Sequence, residues 1–192
     1  MEKLNLLWSA CSNDGGYNVL EKPICRILFD IINYHEKFMK NFFSDVLKAT
    51  NISQAEIKTA KVDMGKYYFD FFIETDNQII PIEVKVEARD QNEQCHRYLE
   101  TARKMNKNVP ARMYYLTKDK HAPSSESLSG EKVFENDLNS IGNATGVILI
   151  SYQDEILNWL ESCSQYLENN NEKNFCYQLE LFKDIIKEHL KA

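Results

Sequence analysis

Residues 67–98 read YYFDFFIETDNQIIPIEVKVEARDQNEQCHRY. Two strand-like runs open the stretch. Tyr67–Glu74 is aromatic and β-rich, and Ile79–Val86 is β-branched. Thr75-Asp76-Asn77-Gln78 between them is a short polar turn. A two-residue loop at Asp76-Asn77 sets Asp70 directly across from Glu83. Opposed residues on one face of a strand pair have Cβ atoms about 4.5–5.5 Å apart, so two carboxylates there repel each other. Protonating one of them relieves the repulsion, and so does a hard divalent cation with oxygen ligands, such as Mg²⁺. A bulge in either strand would spoil the register. Lys85 follows Glu83 by two residues, which in a strand returns its side chain to the same face. An ammonium there can orient water and neutralise charge growing on a phosphate.

The same three charges also fit a half-exposed hairpin with a solvated polar face. Their neighbours argue for more. Phe69, Phe71, Ile73, Ile82, Val84 and Val86 make the strand pair core-like, and charges on such strands need partners or a task. The next segment, Gln91–Met105, reads as a helix. Gln94 and Tyr98 stand four apart on one helical face. With Arg97 they bring an amide, a phenol and a guanidinium to the strand end, where such groups hold a phosphate or fix a neighbouring lysine. Taken alone, that trio is an ordinary polar helix face.

Outward from this stretch the pattern alternates between helices and strands. From Pro23, a residue suited to a first helical turn, Ile24, Ile27, Leu28, Ile31 and Ile32 recur at helical spacing. A second helix is predicted over Glu36–Ala49, then a weak strand over Ile57–Val62. Short apolar strands follow at Arg112–Leu116 and Gly146–Ser151, separated by a polar stretch, Lys118–Asn143, read as a long loop with a short helix. Helices at Gln153–Leu167 and Lys173–Leu190 close the chain. The order implies an α/β fold: a mixed sheet flanked by helices. The 192 residues suit one domain, with a helical part over 1–50, a core over 51–151 and closing helices over 152–192.

Composition narrows the function. The net charge of −6 speaks against a protein that coats nucleic acid nonspecifically. Residues 85–120, however, hold nine Lys/Arg against five Asp/Glu, so the segment bearing the candidate site is locally positive. No apolar run has the length of a membrane span, and no signal-peptide core follows Met1. The expected location is the cytoplasm. Cysteines at 11, 25, 95, 163 and 176 lack zinc-site spacing and are odd in number, so reduced, isolated thiols are expected. Cys95 is read as a small buried hydrophobe. His35, His96, His121 and His189 do not cluster, and each is read as solvated or capping. No glycine-rich phosphate loop is present.

Asp70, the Ile82-Glu83-Val84-Lys85 run and Gln94-x-x-x-Tyr98 together resemble the PD-(D/E)XK nuclease superfamily, in its branch with a Gln-x-x-x-Tyr motif. IEVKVEARDQNEQCHRYLETARK, residues 82–104, is similar to a bacterial group that pairs Ile-Glu-x-Lys with Asp-Gln and Gln-x-x-Arg-Tyr. HEKFMKNFFSDVL (35–47), RMYYLTKDKHAP (112–123) and ILISYQDEILNWLESC (148–163) resemble its flanking segments, so the likeness covers most of the chain. Phe69 stands where the motif often has proline, and Val84 where the group often has Asn.

The resemblance implies a restriction-endonuclease-like core and metal-dependent hydrolysis of nucleic-acid phosphodiesters, here DNA with Mg²⁺ or Mn²⁺, in defence, restriction or repair. By carry-over, Asp70 and Glu83 are metal ligands and Lys85 positions water or stabilises the transition state. Gln94 and Tyr98, with Arg97, support the site or touch substrate. Glu21 matches the acid that the superfamily often carries on its first helix. It also fits a helix-start carboxylate favoured by the helix dipole. A homodimer or a protein partner is compatible with this reading. The alternative is a catalytically silent module with the same fold, an inhibitor or a subunit of a defence system acting through nucleic-acid or protein contacts.

Overall fold

The alternation along residues 79–84 sorts this molecule into two layers of packing. In the computed structural model, residues 21–49, 57–62, 69–75, 78–86, 89–106, 108–136 and 144–189 are described. Their strands are β1 (Ile57–Val62), β2 (Phe71–Thr75), β3 (Ile79–Val84), β4 (Arg112–Thr117), β5 (Val133–Glu135) and β6 (Gly146–Ser151). They form one sheet in the order β1-β2-β3-β4-β6-β5. β1, β2 and β3 run antiparallel, whereas β3, β4, β6 and β5 are parallel neighbours. The helices are α1 (Glu21–Tyr34), α2 (Glu36–Asn41), α3 (Gln94–Met105), α4 (Ser125–Leu128), α5 (Leu157–Asn169) and α6 (Lys173–His189). The mixed sheet between helices is the expected α/β, restriction-endonuclease-like architecture.

Successive strand residues point to opposite faces. One face sends Phe71, Ile73, Ile80, Ile82, Val84, Tyr114, Leu116, Ile148 and Ile150 into the larger core, with apolar residues of α1, α2, α5 and α6. The other face puts Phe72, Ile79, Met113, Tyr115, Val147 and Leu149 against Cys95, Tyr98 and Leu99 of α3. The larger core is tied at its polar points. The Trp159 indole N–H donates to Phe38 O at 3.1 Å. His35 caps α2 by accepting from the Lys37 N–H at 3.0 Å, and its other ring nitrogen meets the Tyr166 hydroxyl at 2.9 Å.

Several predicted boundaries move. The strand expected over Tyr67–Glu74 is ladder-paired only from Phe71, because the chain bends at Asp70; Tyr67 and Tyr68 lie outside the described residues. β3 ends at Val84 rather than Val86. Pro81 fits a central strand because pairing with β4 begins only at Ile82, so no β4 partner stands opposite the missing N–H. α3 begins at Gln94, not Gln91, since Glu93 adopts a left-handed φ of 54°. The helix expected over Glu36–Ala49 passes into a wide π turn at Phe42–Val46, and a second such turn, Tyr152–Ile156, precedes α5. The stretch read as a long loop contains α4 and also β5, which pairs with β6. Leu190 and the turn residues Asp76 and Asn77 are outside the described residues. Thr75 and Gln78 flank that turn, with the Thr75 N–H donating to Gln78 O at 2.9 Å. No helix among the described residues is long and apolar enough to cross a membrane.

Candidate active site

The inferred hairpin register is the observed one: Phe71 pairs with Ile82, and Glu74 with Ile79. Continuing it would place Asp70 opposite Glu83. At the bend, however, Asp70 uses its side chain. Its Oδ2 accepts the Val84 N–H at 2.7 Å. The carboxylate thereby closes the end of the β2–β3 ladder and is held beside Glu83, close enough to act on its charge.

Glu83 is 2% exposed and Lys85 6%. That burial rules out the solvated hairpin face. The Lys85 ammonium meets Glu83 Oε1 at 2.8 Å. The same oxygen accepts from the Gln94 amide at 2.6 Å, and that amide lies 3.3 Å from the Tyr98 hydroxyl. The other end of the Gln94 amide accepts the Gln91 N–H at 3.3 Å. Spacing by four along α3 puts Gln94 and Tyr98 on one face of the helix, as expected, and that face turns toward Glu83. Glu83 Oε2, in contrast, is buried and has no hydrogen-bond partner among the described residues.

Burial, and next the charge of Asp70, push the Glu83 carboxyl up to about 8, against the opposing pull of Lys85 and Tyr98. The Tyr98 phenol is pushed well above its ordinary range, mainly by burial and then by the charge of Glu83. With both acids ionised, Asp70, Glu83 and Lys85 carry a net −1 in a low-dielectric pocket. A proton on Glu83 relieves this, and a cation would relieve it more fully. The donor set fits a hard divalent ion: two carboxylates, one with an orphaned buried oxygen. Mg²⁺ in particular needs few protein carboxylates, because water and phosphate oxygens fill its remaining positions. Among the described residues no group of three or more His, Cys, Asp or Glu side chains is poised to hold a metal. Glu21 is the first residue of α1, but its side chain lies outside what the structure describes.

Arg97 is not part of this cluster. It is exposed, and its guanidinium donates to Asn92 O at 2.6 Å and to Gln91 Oε1 at 3.3 Å. It fastens the turn that leads into α3. Its place one residue before Tyr98 turns it about 100° away from the Gln94–Tyr98 face. Cys95 is fully buried, and burial pushes its thiol up to about 12, as befits a small core residue. His96 sits on the far side of α3 against Glu131, at 2.9 Å.

Asp90 was not among the sequence-derived candidates. Its Oδ1 accepts the Tyr115 hydroxyl and its Oδ2 the Ser124 N–H, both at 2.6 Å. Tyr115 is the β4 residue in register with Glu83. Asp90 therefore pins the β3–α3 connection to the strand beside the carboxylates. The Asp-Gln pair in the motif string was the available signal, but its partners come from 25 and 34 residues downstream.

Comparison with protein families matches residues 26–179 to a family described as the PD-(D/E)XK nuclease superfamily. The matched span takes in Asp70, Glu83, Lys85, Gln94 and Tyr98 and begins after Glu21. Comparisons with curated proteins and with solved structures give no match.

Proposed function

The chain belongs to the PD-(D/E)XK nuclease superfamily, and from that premise we propose that it hydrolyses phosphodiester bonds of DNA with a divalent cation, Mg²⁺ or Mn²⁺. One observation carries the reading: a Glu83 carboxylate that is buried, crowded by Asp70 and left with one oxygen unbonded. A purely structural carboxylate in such a place is costly. Asp70 and Glu83 would hold the cation. Once bound, it supplies positive charge to a phosphate oxygen and acidifies water.

The chain's own residues do the rest. Asp70 is fixed in direction by the Val84 N–H, so its position does not depend on the cation. The Gln94 amide and the Lys85 ammonium both grip Glu83 Oε1, which leaves Oε2 as the oxygen to be shared. Lys85 orients the attacking water and offsets negative charge that grows on the phosphate. Tyr98 and the smaller core behind it keep bulk water from the back of the site. The contact from Gln94 to Glu83 supports placing the chain in the Gln-x-x-x-Tyr branch. The proposed setting is DNA defence, restriction or repair in the cytoplasm.

The net charge of −6 favours a second reading, a silent module that binds a partner. Incubation with plasmid, single-stranded DNA and RNA, in Mg²⁺, Mn²⁺ or EDTA, separates the two. The nuclease reading expects DNA cleavage that requires the ion and is lost in Asp70→Ala and Lys85→Ala proteins that still fold. Cleavage that survives both substitutions rejects it. Failure to cut any substrate, together with a stable partner on pull-down, supports the silent module.

A further inference from the structure

Next to the carboxylates the surface opens into a cleft of about 550 Å³ lined by Arg89, Asp90, Tyr115, His121, Ser124 and Glu126. Tyr115 faces Glu83 in the β3–β4 register, and neighbouring strands lie about 4.8 Å apart. The cleft thus begins one strand away from the proposed site, on the same face of the sheet.

Most charges on its walls are already engaged. Asp90 receives the Tyr115 hydroxyl and the Ser124 N–H, so it serves as masonry between two walls. His121 meets Asp119 at 2.9 Å. Glu126 accepts from the Ser125 hydroxyl at the start of α4. Arg89 differs. It is exposed at the lip of the cleft and makes no hydrogen bond or ion pair with another described residue. A guanidinium offers a rigid fork of donors that matches phosphate oxygens. The cleft is lined by polar side chains, and one of its walls, with Arg89, Asp90 and Tyr115, comes from the locally positive segment 85–120.

We propose that this cleft seats the substrate strand beside the scissile bond, with Arg89 gripping a neighbouring phosphate of its backbone. The proposal rests on reading Asp70, Glu83 and Lys85 as a nuclease site. It assigns Arg89 to substrate binding and gives it no role in bond breaking.

The test compares wild type with Arg89→Ala and Arg89→Lys. Binding of a fluorescein-labelled single-stranded DNA is followed by anisotropy, with Ca²⁺ replacing Mg²⁺, between about 50 and 200 mM salt. Cleavage kinetics are measured alongside. Arg89→Ala should bind several-fold more weakly at low salt. Its log–log salt slope should be shallower by roughly 0.7, the loss of one phosphate contact on a single strand. Its kinetic defect should fall on KM rather than kcat, and Arg89→Lys should recover most of the salt slope. A wild type that cleaves and binds, with an Arg89→Ala protein of equal affinity, slope and KM, overturns this inference and leaves the nuclease reading standing. A wild type that neither binds nor cleaves nucleic acid overturns both.

Discussion

On one face of β3, Ile80, Ile82 and Val84 enter a continuous apolar core roofed by four helices. On the opposite face of the same strand end stand Glu83 and, just past it, Lys85, met by the polar groups of α3. Both faces are buried. The first is stabilised by the removal of apolar surface from water. The second holds a carboxylate whose proton affinity has risen because its surroundings disfavour charge. The contrast teaches where stability and function reside: one residue's step along the strand changes which of the two a substitution attacks.

The largest effect is expected on the polar face. Lys85→Ala or Asp70→Ala should lower DNA cleavage by about 10²- to 10³-fold or more, with far-UV circular dichroism that still reports a folded chain. Ile82→Ala, on the other face, should do the reverse. Denaturant unfolding should show a loss of about 2–5 kcal/mol, while the cleavage rate per folded molecule stays near wild type. If Ile82→Ala destroys turnover in a protein that remains folded, the division between faces fails. A smaller effect is expected one contact back from the carboxylate. Gln94→Leu removes one of the two donors to Glu83 Oε1 and should weaken metal affinity by about 10- to 100-fold, read by Mn²⁺ titration.

A further effect concerns pH. Glu83 is raised from 4.5 to about 8 by burial and by Asp70. A carboxyl whose folded pKa is raised binds its proton more tightly in the folded state. Its contribution to stability is complete below about 4.5 and is lost as pH climbs toward about 8. The metal-free protein should therefore melt at lower temperature at the alkaline end of that window, by about 2–4 °C per kcal/mol lost. Adding Mg²⁺ should restore more stability at high pH than at low pH, because the cation competes with the proton. A melting temperature that rises with pH in EDTA would contradict the assignment of Glu83.

Much of this was legible in the residues. The β-branched run Ile79–Val86 and the polar turn before it are local signals that carried the hairpin and its register, and the two-residue step of a strand carried the shared face of Glu83 and Lys85. The four-residue step from Gln94 to Tyr98 is equally local. What escaped depends on distant partners. The bend at Asp70 follows from a side chain that takes a backbone N–H 14 residues away. Arg97 looked like a site residue because helical spacing alone does not say that Gln91 and Asn92 hold it. β5 has three residues in a polar stretch and exists through its pairing with β6. The burial of Glu83 and Lys85 is likewise a property of α3 and β4 folding over them.

The polar face of β3 is here proposed as a divalent-cation site built on Glu83 and Asp70. Calorimetric titration of Mn²⁺ near neutral pH, in two buffers of different ionisation enthalpy, tests it most directly. Mn²⁺ should bind with release of a proton, since the ion displaces the one that Glu83 holds, and Glu83→Gln should lose both binding and release. Absence of binding in the wild type, or binding that releases no proton and survives Glu83→Gln, would contradict it.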